Sequence, residues 1–249
     1  MLTPISRRRQ AILQDRRRRM LERYYRPKIN TVLRQMAKDA AKAYGEGGTE
    51  RALQSVSDSQ KPLQDVLLRL YYSSADTAKR TLNQQLGVKK LDVFSTYLQS
   101  LFADYAFDKA ISLTETSKEE LRRVVSNALV AEETYNLATI TKLIESGLKA
   151  SASYRAAMIT RTEVGAAVME SEFAMLDEYD LPAEMVKVWL SNIDGRVRKT
   201  HAQVDGQTRN KDDLFDVGGD KLKYPNDRSG SPENVINCRC SVSWELKEE

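Results

Sequence analysis

The chain has little of the chemistry on which most enzymes and secreted domains depend, with two cysteines and one histidine in 249 residues. Two cysteines exclude the disulfide framework that holds small secreted domains together. A single histidine leaves little for acid–base catalysis. The sequence has no apolar run near the roughly 18 residues of a membrane span, and the basic start lacks the apolar stretch of a secretory signal. We therefore expect a protein with reduced thiols and no membrane partner.

Positive charge is concentrated near the start of the chain. The formal net charge is only +4, but from Arg7 to Arg34 the acidic residues are limited to Asp15 and Glu22. Arginines spread around a helix could bind the phosphates of double-stranded DNA without sequence preference. They could equally pair with an acidic protein surface or remain solvated. The candidate contact residues are Arg7, Arg8, Arg9, Arg16, Arg17, Arg18 and Arg19.

Apolar residues at helical spacing predict helix after helix from about residue 5 to residue 180. Pro27 should interrupt the first helix, and the glycines from Gly45 to Gly48 should end the second. Ser117 and Glu120 form a capping-box pattern that predicts a helix start. A further helix covers 134–146, and a separate one begins at Ser151 and stops before Pro182.

The pattern changes at Pro182 from a period of 3.6 residues to a period of two. The segment 185–190 is rich in strand formers, and 203–232 is dense in Gly, Asp, Asn and Pro, which favours loops. Alternation from Ile236 to Trp244 predicts a last strand with one apolar face. The fold class is therefore α+β, with a mostly helical region at 1–182 and a small β-containing, loop-rich domain at 183–249.

His201, Cys238 and Cys240 form a candidate zinc site. Their spacing differs from the Cys-x-x-Cys pairs of zinc fingers, and a fourth ligand would have to come from Asp194 or Asp205. The alternative is that both thiols are small buried apolar groups and that the imidazole hydrogen-bonds a loop. On a strand the two cysteine side chains would lie about 7 Å apart on the same face, too far for a disulfide.

The same residues also suggest a nucleophilic Cys–His pair. A cysteine on the apolar face of a strand should have a raised pKa and poor access to substrate, and both effects oppose a reactive thiolate. We therefore predict no catalytic residues. A separate motif, Arg161-Thr162-Glu163, lies within a predicted helix. It is interpreted either as ordinary surface charge or as an anchor that attaches this helix to the C-terminal domain.

Several C-terminal elements occur in a recognisable order: Trp189, Asp194-Gly-Arg-Val-Arg198 with His201, Asp205-Gly206, Phe215, Gly218-Gly219, Tyr224-Pro225 and Pro232 to Cys240. This block resembles the C-terminal domain of the phage Mu protein F-like head-morphogenesis family. The signature of that family runs from D-x-R-x-R-x-x-H to N-C-R-C, and an R-T-E element precedes it. The resemblance covers about residues 155–245. The preceding residues resemble the family only in being helical.

The resemblance implies a minor head (capsid) protein and not an enzyme. Such a protein would bind the portal protein or the major capsid protein during assembly in the host cytoplasm. It would then remain in the virion, inside the head near the portal, and affect DNA packaging or ejection. Some members carry a toxin-like enzyme domain after this block, and the few residues that follow Cys240 favour a purely structural role. The alternative is a metal-dependent nucleic-acid-processing enzyme with a His201–Cys238–Cys240 zinc site.

Overall fold

The computed structural model describes residues 3–87, 91–93, 95–131, 136–178, 185–192 and 194–246, and it confirms the α+β class. Four long helices come first: α1 (Pro4–Asp58), α2 (Gln60–Leu86), α3 (Thr96–Ala131) and α4 (Leu137–Glu178). Seven short elements follow: β1 (Met185–Leu190), α5 (Lys199–Gln203), β2 (Thr208–Asn210), β3 (Phe215–Val217), β4 (Asp220–Leu222), α6 (Pro232–Val235) and β5 (Ser241–Leu246). Among the described helices, none combines the length and apolar character that crossing a membrane requires.

The predicted interruption at Pro27 is wrong, because α1 continues through it. Proline removes one backbone donor, but Pro27 is exposed, so water can hydrate the carbonyl left without a partner. That carbonyl belongs to Arg23, four residues earlier, which is exposed as well. The predicted break at the glycines is found at Gly47 and Gly48, whose backbone angles are not helical, although helix resumes and extends to Asp58.

Two further predicted helix boundaries are wrong, since α3 and α4 are each continuous. Ser117 does not cap a helix: it is buried within α3, and its hydroxyl donates to the Leu113 carbonyl at 2.8 Å. Gly147 lies inside α4, where an added Cβ would meet the side chain of Val124 at 3.0 Å. The glycine therefore permits close approach of two helices and does not end one.

The chain forms two compact units. We call Met1–Arg23, Leu70–Gln99 and Met158–Glu249 the strand-containing unit, and Tyr24–Arg69 and Ser100–Ala157 the helical unit. The predicted domain boundary after residue 182 lies outside the described residues and stays a prediction. The expected helix stop at Pro182 also lies outside the described residues and stays a prediction.

Polar contacts tie the helices of the helical unit together around buried aliphatic side chains. Arg155 on α4 pairs with Glu120 on α3 at 3.1 Å and also donates to the Ser117 hydroxyl at 2.9 Å. The hydroxyl of Tyr25 on α1 donates to the Arg69 carbonyl on α2 at 2.8 Å. These partly buried contacts fix the helix register more specifically than apolar packing alone would.

The strand-containing unit has a three-stranded antiparallel sheet in the order β2-β1-β5. The predicted strand at 185–190 is confirmed as β1, and all six of its residues are buried. The last strand begins at Ser241 and not at Ile236, so the predicted start is wrong. Helix α6 ends at Val235, directly before the predicted start. Asn237 then takes a positive φ of 60°, which strand geometry does not allow.

A second, two-stranded sheet pairs β3 with β4 across a Gly218–Gly219 turn. Both glycines have positive φ, 62° and 97°, as the turns favoured in tight hairpins require. We predicted only loop for this segment. The Gly-Gly pair between alternating residues was the signal that could have revealed the hairpin.

Gly165 on α4 should be intolerant of a side chain. A Cβ there would lie 2.5 Å from Oδ1 of Asn226, a fully buried residue with a φ of 67°. We expect Gly165→Ala to lower the free energy of unfolding by about 1–3 kcal/mol in urea titrations. Gly195→Ala is the matched control, because nothing lies within 4 Å of its added Cβ. Equal stability of the two variants would show that the helix does not need this close approach.

Candidate functional site

The three predicted metal ligands come together in the strand-containing unit. His201 lies on α5, and Cys238 and Cys240 lie in the segment between α6 and β5. Nδ1 of His201 is 3.5 Å from Sγ of Cys238 and 3.4 Å from Sγ of Cys240. All three ligand atoms lie within 4.8 Å of one another, and all three residues are buried. The arrangement forms a compact group of one nitrogen and two sulfur donors.

The loop brings the two sulfurs closer than strand geometry would, so the expectation of side chains about 7 Å apart is wrong. The amide of Cys238 donates to the Val235 carbonyl at 3.2 Å. The Asn226 amide group donates to the carbonyls of Val235 and Cys238, at 3.1 Å and 3.4 Å. The prediction of free thiols agrees with the structure.

The two thiols differ in acidity. The hydrogen bond with Cys240 and burial raise the pKa of Cys238 well above its usual value. The same hydrogen bond, followed by contacts with His201, holds the pKa of Cys240 well below its usual value, although burial opposes this. Cys240 is therefore the thiol that ionises first, but both side chains are only 3% exposed, which restricts access by a substrate.

The two carboxylates considered as a fourth ligand are engaged elsewhere. Asp194 forms a two-point ion pair with Arg239, and that hydrogen bond holds the pKa of its carboxyl below the usual value. Oδ1 of Asp205 accepts from the Ser191 amide at 2.6 Å. Within the described part of the chain, the ligand group contains no carboxylate. Asp194 and Asp205 thus shape the surrounding loops and do not join the cluster.

The Arg161-Thr162-Glu163 motif is an anchor and not surface charge. Glu163 is 1% exposed and accepts from the Tyr71 hydroxyl at 2.8 Å and from Arg228 at 3.0 Å. The hydroxyl of Thr162 accepts from the Asn237 amide at 3.0 Å, and Arg161 donates to the Asn237 side chain at 3.4 Å. The motif therefore fixes the segment that leads into Cys238, as one of our two interpretations proposed.

The arginine-rich start of α1 has one buried face. Arg18 is 4% exposed and donates to the Cys240 carbonyl at 2.6 Å. Arg17 donates to the Thr81 hydroxyl at 2.9 Å, and Arg7 to the Gly206 carbonyl at 3.3 Å. Gln14 adds a bond to the Val242 carbonyl at 2.8 Å. These contacts hold α1 against α2 and the C-terminal segments of the same unit.

The other arginines lie on the opposite face. Arg8, Arg9, Arg16 and Arg19 are exposed, and so is Arg23, which we did not predict as a contact residue. At about 100° per residue these five fall within one stripe roughly 100° wide. Exposed apolar side chains lie within the stripe, at Ile12 (43% exposed), and about 20° beyond its edge, at Met20 (70% exposed). We call these seven residues the arginine stripe.

A sequence profile of the family described as phage Mu protein F like protein matches residues 118–243. The match covers half of the chain. This protein belongs to the phage Mu protein F-like family. The matched range includes the Arg161-Thr162-Glu163 anchor, His201 and both cysteines, whereas the arginine stripe lies outside it. The family assignment supports a role in phage head morphogenesis and a virion location.

Among curated proteins, the chain is similar to an NAD(+)–arginine ADP-ribosyltransferase of Enterococcus faecalis, with 30% identity over 129 residues. The aligned part is 50% of this chain but only 26% of the transferase. The aligned part of this Mu F-like chain thus corresponds to about a quarter of the length of the transferase. No solved structure matches the chain. The family assignment indicates a structural head protein.

Sequence reasoning missed a buried acid in this Mu F-like protein. Glu172 on α4 is fully buried, and its Oε2 accepts from the indole nitrogen of Trp244 at 3.0 Å. Burial raises the pKa of Glu172 to about 8, although the Trp244 hydrogen bond and the charges of Arg18 and Arg17 oppose the shift. Its position in the otherwise largely apolar run from Ala166 to Leu176 was the available signal.

Glu172 should make the stability of the protein depend on pH. Its folded pKa of about 8 lies above the ordinary value of 4.5, so the folded state holds the proton more tightly. The free energy of unfolding should therefore fall as pH rises from about 4.5 to 8, by at most about 1.4 kcal/mol per unit. Glu172→Gln should flatten this slope in urea titrations, whereas Glu178→Gln, at an exposed position on α4, should not. An unchanged slope in Glu172→Gln would contradict the assignment.

Proposed function

We propose that the protein is a minor head protein that binds the portal protein or the major capsid protein through its arginine stripe. The observation that carries the proposal is the family match over residues 118–243. The arginine stripe supports it from the structural side, because it presents five cations on one exposed face of α1. Arg19 also pairs with Asp15 at 2.7 Å, but the concentration of exposed cations still favours attraction to an acidic partner.

The apolar members of the stripe favour a protein partner over DNA. Phosphates of double-stranded DNA would account for the arginines through counterion release. A complex with DNA would still leave Ile12 and Met20 exposed to solvent. A protein groove with acidic edges, in contrast, would cover the apolar side chains as well as the arginines. Nonspecific contact with packaged DNA is then a second role of the same stripe. In this proposal the protein is located inside the head, near the portal.

The alternative remains a metal-dependent nucleic-acid-processing enzyme that uses His201, Cys238 and Cys240. Such an enzyme needs a metal that its substrate can reach and a base to activate water. The three residues are 1%, 3% and 3% exposed, which favours the assembly role. Cleavage of DNA by the purified protein with added zinc, together with failure to bind portal protein, would support the enzyme instead.

Charge removal from the stripe tests the proposal. We expect glutamine at Arg8, Arg9, Arg16 and Arg19 to weaken binding to the cognate portal protein by about tenfold or more, measured by surface plasmon resonance, equivalent to about 1.4 kcal/mol. The matched control removes the same charge at four exposed positions elsewhere: Arg34, Lys38, Arg122 and Arg123. The control variant should bind the portal protein like the unmodified chain.

A parallel titration against double-stranded DNA separates the two partners. Salt dependence is measured as the slope of the logarithm of the binding constant against the logarithm of the salt concentration. Loss of four phosphate contacts would reduce the magnitude of this slope by roughly three to four. A reduced slope with unchanged portal binding would assign the stripe to DNA. If the stripe variant matched the control in both assays, the proposed surface would be wrong.

Arg18 should behave differently from its neighbours on the stripe. Because its guanidinium is buried and donates to the Cys240 carbonyl, Arg18→Gln should lower the free energy of unfolding by about 1–3 kcal/mol. Its effect on portal binding at a temperature where the variant is folded should be small. A variant as stable as the unmodified chain, but deficient in binding, would place Arg18 at the interface instead.

A further inference from the structure

We propose that Nδ1 of His201 and the thiolates of Cys238 and Cys240 bind one zinc ion, which joins α5 to the segment before β5. The inference is independent of the proposed assembly function. The three residues come from two separate parts of the strand-containing unit, 37 residues apart at the shortest. A metal here would therefore connect the short helix α5 to the irregular segment between α6 and β5.

The distances fit tetrahedral zinc. Zn–S bonds of about 2.3 Å and Zn–N bonds of about 2.05 Å at tetrahedral angles place a nitrogen and a sulfur about 3.6 Å apart, and two sulfurs about 3.8 Å apart. The two observed nitrogen–sulfur separations are 3.4 Å and 3.5 Å. All three donor atoms lie within 4.8 Å of one another. An ion could bind at the centre of this group with little movement of the ligands.

The kind and charge of the ligands also favour zinc. Thiolate and imidazole donors suit zinc, whereas calcium and magnesium prefer oxygen. Two thiolates and a neutral imidazole balance the two positive charges of the ion, so the complex is neutral overall. Neutrality matters because the residues are at most 3% exposed, and an uncompensated charge at that depth would be costly.

The surrounding structure already holds each ligand in place. The hydroxyl of Ser191 donates to the His201 carbonyl at 2.8 Å, and the Trp189 ring packs edge-on against the imidazole with centroids 5.7 Å apart. Asn226 and Arg18 bind the carbonyls of Cys238 and Cys240. These contacts hold the backbone of each ligand in place, whereas Nε2 of His201 is buried and has no hydrogen-bond partner among the described residues.

A small cavity adjoins the three ligands. The three ligands line a cavity of about 20 Å³, whose other walls include Asn192, Arg198 and Arg239. This is enough for about one water molecule. Since Asp194 and Asp205 are engaged elsewhere, we assign the fourth position to water and not to either carboxylate.

Metal analysis of the unmodified full chain is the first test. Protein purified without chelator should contain one equivalent of zinc by native mass spectrometry and by elemental analysis. After removal of zinc, addition of cobalt(II) should produce the near-ultraviolet absorption of thiolate-to-cobalt charge transfer. A folded chain that takes up neither metal would overturn the proposal, and so would a Cys238–Cys240 disulfide in protein kept under cytoplasmic reducing conditions.

Variants then identify the ligands. Cys238→Ser, Cys240→Ser and His201→Asn should each weaken zinc binding by more than the roughly 100-fold that loss of an outer contact costs. Asp194→Asn and Asp205→Asn are the controls and should keep one equivalent. Zinc loss in either control would assign the fourth ligand to that carboxylate and contradict the water assignment. If the ligand variants fail to fold, the cobalt spectrum of the unmodified chain still shows whether cysteine thiolates bind the metal.

Discussion

The backbone of the segment between α6 and β5 is the constraint on which the rest of the strand-containing unit depends. This segment has no helix or strand of its own, so its polar groups must find partners outside the sheet ladder. Thr162 accepts from the Asn237 amide, Asn226 donates to the Cys238 carbonyl, and Arg18 donates to the Cys240 carbonyl. Contacts from α4, from the loop that carries Asn226 and from α1 thus converge on Asn237, Cys238 and Cys240 and set the direction of both cysteine side chains.

Buried charge is the second common feature. Glu163 and Arg228 form a buried pair that the Tyr71 hydroxyl joins. Glu172 is buried against Trp244, and among the described residues it forms no ion pair with a cation. Pairing offsets the desolvation of Glu163, but Glu172 is stabilised mainly by becoming neutral, as its raised pKa shows. Neither arrangement contributes much stability. Their effect is to make one packing of α4 against its neighbours preferable to others, because a shift would leave the Glu163 charge without Arg228 and the Trp244 indole without its acceptor.

The sequence was sufficient for the features that depend on short-range pattern. Helical periodicity and the change to alternation gave the α+β class and the strand at 185–190, and residue chemistry identified His201, Cys238 and Cys240. The errors arose where a distant contact overrides a local preference. Ser117 has the pattern of a helix cap but is buried inside α3, and the start of the last strand was misplaced because the left-handed turn at Asn237 is held by Thr162, 75 residues away. The proximity of the three ligands depends on that turn, so a strand-based prediction could not place them together.

Helical geometry explains how one arginine-rich segment can have two roles. Successive residues of a helix point about 100° apart. On a helix with one buried face, consecutive arginines are therefore divided between the buried face and the exposed face. Arg18 faces the Cys240 carbonyl, while Arg16 and Arg19 face solvent on the same turns of α1. The internal contacts therefore determine the direction in which the exposed face points. Because Arg18 binds the backbone of a proposed zinc ligand, the segment that carries the metal site also positions the helix that carries the arginine stripe. A partner bound to the stripe would then be oriented with respect to His201, Cys238 and Cys240 by contacts within the strand-containing unit that do not involve the partner.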